Sequence, residues 1–388
     1  MNRSLGRAAG VAAAVSIAVP VTLTASPGPA AADAGEASAP GAVVTVQELP
    51  PELVLTRASS GYLFEYATTG PEGEPATSLG TLYLPEGEAP AEGWPVLSYG
   101  HGTMGLSDTV LSYPLWVGEG NTGDAYLSQW LDAGFAVAAS EYVGIGTPGV
   151  HPYLNVRSEG AAMIDVVRAA RAVVPSLSPV WYANGYSQGG HASLAAAWMA
   201  HEYAPELTLA GISAGGVPAG VADELALVTP LLQYDPGTGL TVYFAYVLAG
   251  FRAANPDYPL DRYLSARGRE VLALAEELDF FALAEATNGL GPGALVSRPL
   301  ATGDLLPAVR DHLGLPTSGY GVPLQIYQQS LDIVSPAVFT TRLVAGLKLS
   351  GEQVDYRVYH SAEGHAAWDE ALPDVIATAV VRVAEARA

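Results

Sequence analysis

Along the 388-residue chain, short, largely apolar runs alternate with stretches whose apolar positions recur every three or four residues. The runs at 95–99, 135–139, 180–184 and 207–212 predict buried strands. Helices are predicted between and after them, at 125–133, 161–174 and 191–203. In the second of these Ala161, Ile164, Val167, Ala170 and Val174 fall near one face. Strand and helix repeated in this way build a mostly parallel sheet with helices on both faces, an α/β architecture. Upstream, at 61–84, runs of Tyr, Leu, Phe and Thr broken by Gly70-Pro71-Glu72-Gly73 predict antiparallel strands at one sheet edge.

The alternation stops at about residue 220 and resumes at about 320. Between these points lie an apolar segment at 240–251, a charged helical stretch at 262–283 and Gly- and Pro-rich connections, which together predict an inserted helical cap. Beyond it come strand 324–327, helix 336–349, strand 354–359 and helix 372–386. The expected organisation is therefore a core of 51–219 and 320–388 carrying a cap of 220–319.

The N-terminal pattern differs from all of this. Arg3 and Arg7 precede an apolar run at 8–25, and the small residues of 30–34 follow directly. This is the layout of a secretory signal peptide over 1–32, with cleavage expected near Ala32 to Ala34. An uncleaved membrane anchor is the alternative, and Pro20 within the run weighs against it. Residues 33–50 read as a flexible N-terminus because Ala, Gly, Pro and Ser dominate them.

Composition narrows the class further. Hydrophobic residues make up 49% of the chain and charged residues 14%, as in a packed globular protein. With no cysteine, disulfides and thiolate metal sites are excluded, and a secreted bacterial protein is the expected setting. A formal charge of -22 argues against nucleic acid and anionic membrane as partners, whether it serves solubility or a salt-rich habitat.

The chemistry is concentrated in Gly185-Tyr186-Ser187-Gln188-Gly189-Gly190, which directly follows a predicted strand and opens a predicted helix. A nucleophilic serine on a tight strand-to-helix turn needs that context, since only glycines permit the crowding around it. The N–H of Gln188 then stands at the start of the helix, where an oxyanion finds a donor. A serine nucleophile needs a base, and the base needs a carboxylate. In the chain order serine, acid, histidine, the base follows the last strand, which leaves His360 and His365. His360 continues the strand and is expected to be locked by packing, whereas His365 lies in the loop Ser361-Ala362-Glu363-Gly364-His365. Asp332, after the preceding strand and before Pro336, is the expected acid. Asp355 points along a strand, and Glu363 and Asp369 stand too near His365 in sequence to brace it.

A second oxyanion donor belongs in the loop Tyr99-Gly100-His101-Gly102-Thr103-Met104-Gly105, with Thr103 as the expected N–H and His101 as a buried brace. No lysine or G-x-x-x-x-G-K-[ST] pattern turns this loop toward phosphate. No histidine pair or acidic loop has the spacing of a metal site, so neither metal nor cofactor is expected.

These residues resemble the secretory lipase family of α/β-hydrolases, the yeast lipase A type, in its bacterial branch. The likeness runs from about Pro51 to the C-terminus. It rests on the segments 99–103, Glu141-Tyr-Val-Gly-Ile-Gly146 with His151-Pro152-Tyr153, Ala183 to Gly190, Tyr203-Ala-Pro-Glu-Leu207, Asp332 before Val334, and Gly364-His365. The resemblance implies a Ser187, Asp332 and His365 triad, an oxyanion hole of Thr103 and Gln188, and a helical cap over the site. It also implies hydrolysis of lipid-type carboxylic esters with at most transient contact with a lipid interface. The segment 240–251, too short to cross a bilayer and too apolar to lie exposed, reads as a buried cap helix, the wall of an acyl channel, or both. Glu141 stands where many α/β-hydrolases have aspartate and is read as structural. An acyltransferase or peptidase would share triad and fold, while a non-catalytic binding protein would have no need of all three groups.

Overall fold

The computed structural model describes residues 39–235 and 239–388. The segment 1–32 read as a signal peptide lies outside the described residues. Among the described residues nine strands follow one another: β1 (Val43–Glu48), β2 (Ala58–Thr69), β3 (Pro75–Pro85), β4 (Val96–Gly100), β5 (Ala136–Val143), β6 (Val180–Tyr186), β7 (Thr208–Gly215), β8 (Leu324–Gln329) and β9 (Val354–Tyr359). The helices are α1 (Tyr113–Trp116), α2 (Thr122–Asp132), α3 (Val156–Val173), α4 (Gln188–Tyr203), α5 (Val221–Ala226), α6 (Leu240–Ala254), α7 (Ala266–Ala275), α8 (Phe280–Ala286), α9 (Leu305–Leu313), α10 (Ala337–Leu349) and α11 (Leu372–Arg387).

All nine strands join one sheet in the order β1-β2-β3-β5-β4-β6-β7-β8-β9. The first pairings are antiparallel as far as β3 with β5, and every pairing from β5 to β9 is parallel. Strands β4, β6 and β8 are buried at every residue, because helices cover both faces and leave no position for a polar side. Residues of α3, α4 and α10 share the core of one face, and α2 and α11 close the other. A separate apolar core gathers α5 to α9 with Leu106, Tyr153 and Leu154. Helix α6 supplies more of that core than any other helix and is buried at eleven positions. Among the described residues, no helix is long and apolar enough to cross a membrane.

Three stretches depart from the sequence expectation. Within the supposedly flexible 33–50, Val43–Glu48 forms β1, whose alternating burial and antiparallel pairing with β2 make it a true edge strand. Its β-branched Val43-Val44-Thr45-Val46 run outweighs the Ala, Gly and Pro around it. The charged helical stretch at 262–283 is divided, because Asp279 accepts from the N–H of Ala282 and starts α8 afresh. Helix α3 begins five residues earlier than its apolar spacing indicates, since Asn155 caps it through the N–H of Ser158.

The parallel register has one consequence for chemistry. Strands β4, β6, β8 and β9 point the same way, so the loops after Gly100, Tyr186, Gln329 and Tyr359 emerge on one side of the sheet. Ligand sites of open α/β sheets form at this carboxyl side.

Candidate active site

Ser187 stands between β6 and α4 with φ 57° and ψ -120°, a conformation that non-glycine residues seldom hold. The crowding around it explains its glycines. A Cβ on Gly189 would meet the Gly100 carbonyl oxygen at 1.8 Å, one on Gly185 would meet the Gly189 carbonyl oxygen at 2.4 Å, and one on Gly190 the Gly215 oxygen at 2.4 Å. The turn is further pinned by the Ser187 N–H, which donates to Gly215 at 2.9 Å. Only 8% of Ser187 is exposed, so its hydroxyl is reached through a cavity and not from the open surface.

The hydroxyl lies 3.0 Å from Nε2 of His365, and Nδ1 of His365 lies 2.7 Å from Oδ2 of Asp332. Asp332 is wholly buried and each of its oxygens is held. The backbone N–H groups of Val334 and Ser335 donate to Oδ1 at 2.9 and 2.8 Å, and the Gln328 amide donates to Oδ2 at 3.2 Å. A carboxylate fixed in this way accepts the Nδ1 proton of the imidazole and leaves the Nε2 lone pair for the serine hydroxyl. Gly364, at φ 55°, lets the histidine loop lie against Leu331, whose carbonyl oxygen is 2.8 Å from where a Cβ would stand. His360 instead bonds Ser330 through Nδ1 at 2.8 Å and takes no part.

The β4 loop passes close beside the serine. A Cβ on Gly102 would lie 3.7 Å from the Tyr186 carbonyl and 4.0 Å from the Ser187 Cβ. Thr103 follows, its hydroxyl 2.6 Å from that of Tyr153. His101 is buried and its Nδ1 donates to Gly102 at 2.7 Å, the bracing position expected of it. Glu141 accepts from the Ser112 N–H, the Ser112 hydroxyl and the Tyr113 N–H at 2.7 to 3.0 Å, and so holds the start of α1.

Sequence reasoning missed a buried network behind Gln188, the first residue of α4, whose backbone N–H has no partner within its helix. Its side-chain amide donates to Glu159 at 2.8 Å and stands 2.7 Å from Nε2 of His151, while His151 Nδ1 donates to the Val143 carbonyl at 2.8 Å. Glu159 also accepts from His191 Nδ1 at 2.8 Å and from the Leu154 N–H at 3.0 Å. Burial pushes the Glu159 carboxyl up, but hydrogen bonds from His151 and His191, with their charges, outweigh it and bring the group down to about 2. With Nε2 of His191 facing the Leu313 carbonyl at 3.0 Å, that ring meets an acceptor on each side and donates from both nitrogens. Glu159 on an otherwise apolar helix face was the one signal available.

The cavity over Ser187 is lined by Leu154, Leu240, Tyr243, Phe244, Val247 and Val334, with one carboxylate, that of Glu224. Desolvation pushes the Tyr243 hydroxyl up to about 12. The space left inside is about 20 Å³, enough for about one water.

The profile of a family described as secretory lipase matches residues 121–286, which include the elbow, the Glu159 network and helices α5 to α8. Over that stretch the chain is similar to the secretory lipases. A Lipase A from Moesziomyces aphidis is 28% identical to it over 247 residues, which are 60% of this chain and 50% of that protein, so the match spans half of that relative's length. The fold is the α/β-hydrolase fold. Candida antarctica lipase A in its closed state superposes with a TM-score of 0.73 at 18% identity, covering 90% of this chain and 83% of that one. The rice cell wall degrading esterase LipA from Xanthomonas oryzae superposes with a TM-score of 0.69 at 21% identity, covering 90% and 98%.

Proposed function

We propose that the chain is a secreted serine ester hydrolase of lipase type that works through an acyl-enzyme. The reading is carried by the continuous hydrogen-bonded line from the Ser187 hydroxyl through His365 to Asp332 on a strained strand-to-helix turn. His365 Nε2 takes the hydroxyl proton as Ser187 Oγ attacks the ester carbonyl carbon, and Asp332 stabilises the imidazolium that forms. The N–H groups of Gln188 and Thr103 receive the oxyanion, each worth about 3 kcal/mol in the transition state. His365 then protonates the departing alcohol, and water cleaves the acyl-enzyme by the same sequence. The residues supply every proton transfer, and the reading involves no cofactor.

Residues 220–319 act as the cap in this reading, with α6 as one wall of the acyl site. An acyl chain fits only after the cap side chains move, since the cavity holds about one water as it stands. The acidic chain meets neutral lipid esters more readily than anionic surfaces. The profile match and the relative named Lipase A support ester hydrolysis, and the layout of residues 1–34 supports secretion.

The test is hydrolysis of p-nitrophenyl esters from acetyl to palmitoyl by the wild type and by Ser187→Ala. Hydrolysis by the wild type and a fall to background in the variant are expected. A wild type inert on every ester, or a variant that keeps its rate, sinks the proposal.

A further inference from the structure

Glu224 lies in the first turn of α5 and contributes the one carboxylate to the wall of the Ser187 cavity. Its neighbours on that wall are aliphatic and aromatic apart from Ser187, Ser335 and the phenols of Tyr153 and Tyr243. The Glu224 side chain is partly buried, and among the described residues no hydrogen bond or ion pair reaches its carboxyl. The nearby cations are committed elsewhere, because Arg310 and Arg342 both bind Asp223, the preceding residue. A carboxylate in an apolar cavity without a donor is costly, whereas apolar residues at this position would cost nothing. The occupant of the cavity is what can supply the missing partner.

We infer that Glu224 forms a polar subsite within the acyl cavity that hydrogen-bonds a hydroxyl group carried on the acyl chain of the substrate. This deepens the ester-hydrolase reading and rests on it. A hydroxyl is the group that serves Glu224 in either charge state, since it donates to the carboxylate and accepts from the carboxylic acid. Burial, with Asp332 and Asp223 nearby, pushes the carboxyl up to about 7, so both forms are present near neutrality. An unsubstituted alkyl chain passing the same wall would leave the group without a partner and would bind less well.

The experiment compares p-nitrophenyl esters of unsubstituted fatty acids with esters of the same acids bearing one hydroxyl at successive chain positions. For the wild type, kcat/KM is expected to be about 10-fold higher than for the unsubstituted ester at one position or a few adjacent ones. Glu224→Leu is expected to abolish that preference and to improve turnover of the unsubstituted ester, while Glu224→Gln, which still donates and accepts, keeps most of it. The subsite is overturned if the wild type cleaves unsubstituted esters and gains nothing from a hydroxyl at any position, and also if Glu224→Leu retains the preference. Inactivity of the wild type on all esters would instead remove the ester-hydrolase reading and the subsite with it. The wild-type comparison decides the matter even if the leucine variant does not fold.

Discussion

Glu159 Oε1 lies 2.8 Å from Gln188 Nε2, so a buried carboxylate holds the residue that opens α4 directly behind the nucleophile. Glu159→Gln leaves the His191 ring, which faces the Leu313 carbonyl on its other side, without its counter-charge. Loss of one partner from such a buried pair costs about 3–5 kcal/mol. The same change loosens Gln188, and kcat on a short p-nitrophenyl ester is expected to fall about 10–100-fold with less change in KM, as for other groups that act by orienting a reacting one. Thermal melts and steady-state kinetics check both parts, and an unaltered kcat in a folded variant would show that the network does not position the turn.

Ser187 carries backbone strain that function imposes. At φ 57° and ψ -120° a serine costs about 1–3 kcal/mol that glycine does not. Ser187→Gly is therefore expected to be more stable than the wild type while losing all ester hydrolysis. A denaturant titration that finds it equally or less stable contradicts the strain.

The glycines of the elbow are not interchangeable with alanine, but a glycine nearby is. Gly189→Ala places a methyl 1.8 Å from the Gly100 carbonyl oxygen, a rigid backbone atom, and is expected to cost about 3 kcal/mol or to prevent folding. Gly102→Ala meets nothing closer than 3.7 Å and is expected to change stability by under about 1 kcal/mol. Melting temperatures of the two variants, measured side by side, test whether close approach is what the elbow glycines provide.

How much of this was readable beforehand depended on whether a signal was local. Ser187 was legible because a strand, a turn and a helix surround it within a dozen residues, and Asp332 and His365 were candidates because each lies in the loop after a strand in a fixed chain order. Contacts across the chain were not legible. Nothing near Glu159 in sequence announces that His191, Gln188 and Leu154 all converge on it, and Glu224 reads as an ordinary surface residue of a short helix until the cavity is seen. Where local polar chemistry overruled periodicity, at the Asn155 and Asp279 caps, helix boundaries moved. In β1 four β-branched or β-favouring residues were hidden by the composition around them.

Glu224 also gives stability a pH dependence. In the unfolded chain its carboxyl titrates at its ordinary value of 4.5, but burial and the nearby carboxylates push it up to about 7 in the folded protein. Between those values the folded state holds a proton that the unfolded chain has released, so this group makes stability fall as pH rises from about 4.5 to about 7. Glu224→Gln removes the contribution. The variant should equal the wild type near pH 4 and exceed it near pH 8, as read from melts across that range; a wild-type advantage at the alkaline end would reverse the sign.

The histidine that faces Ser187 is delivered by β9, the outermost strand of the sheet, which is paired on one side only and has no fully buried residue. Peripheral strands of this kind separate at lower cost than the interior of a sheet. Warming should thus detach the proton acceptor from the hydroxyl while β4, β6 and β7 are still intact, and heat inactivation would report the fraying of this border, not the melting of the molecule.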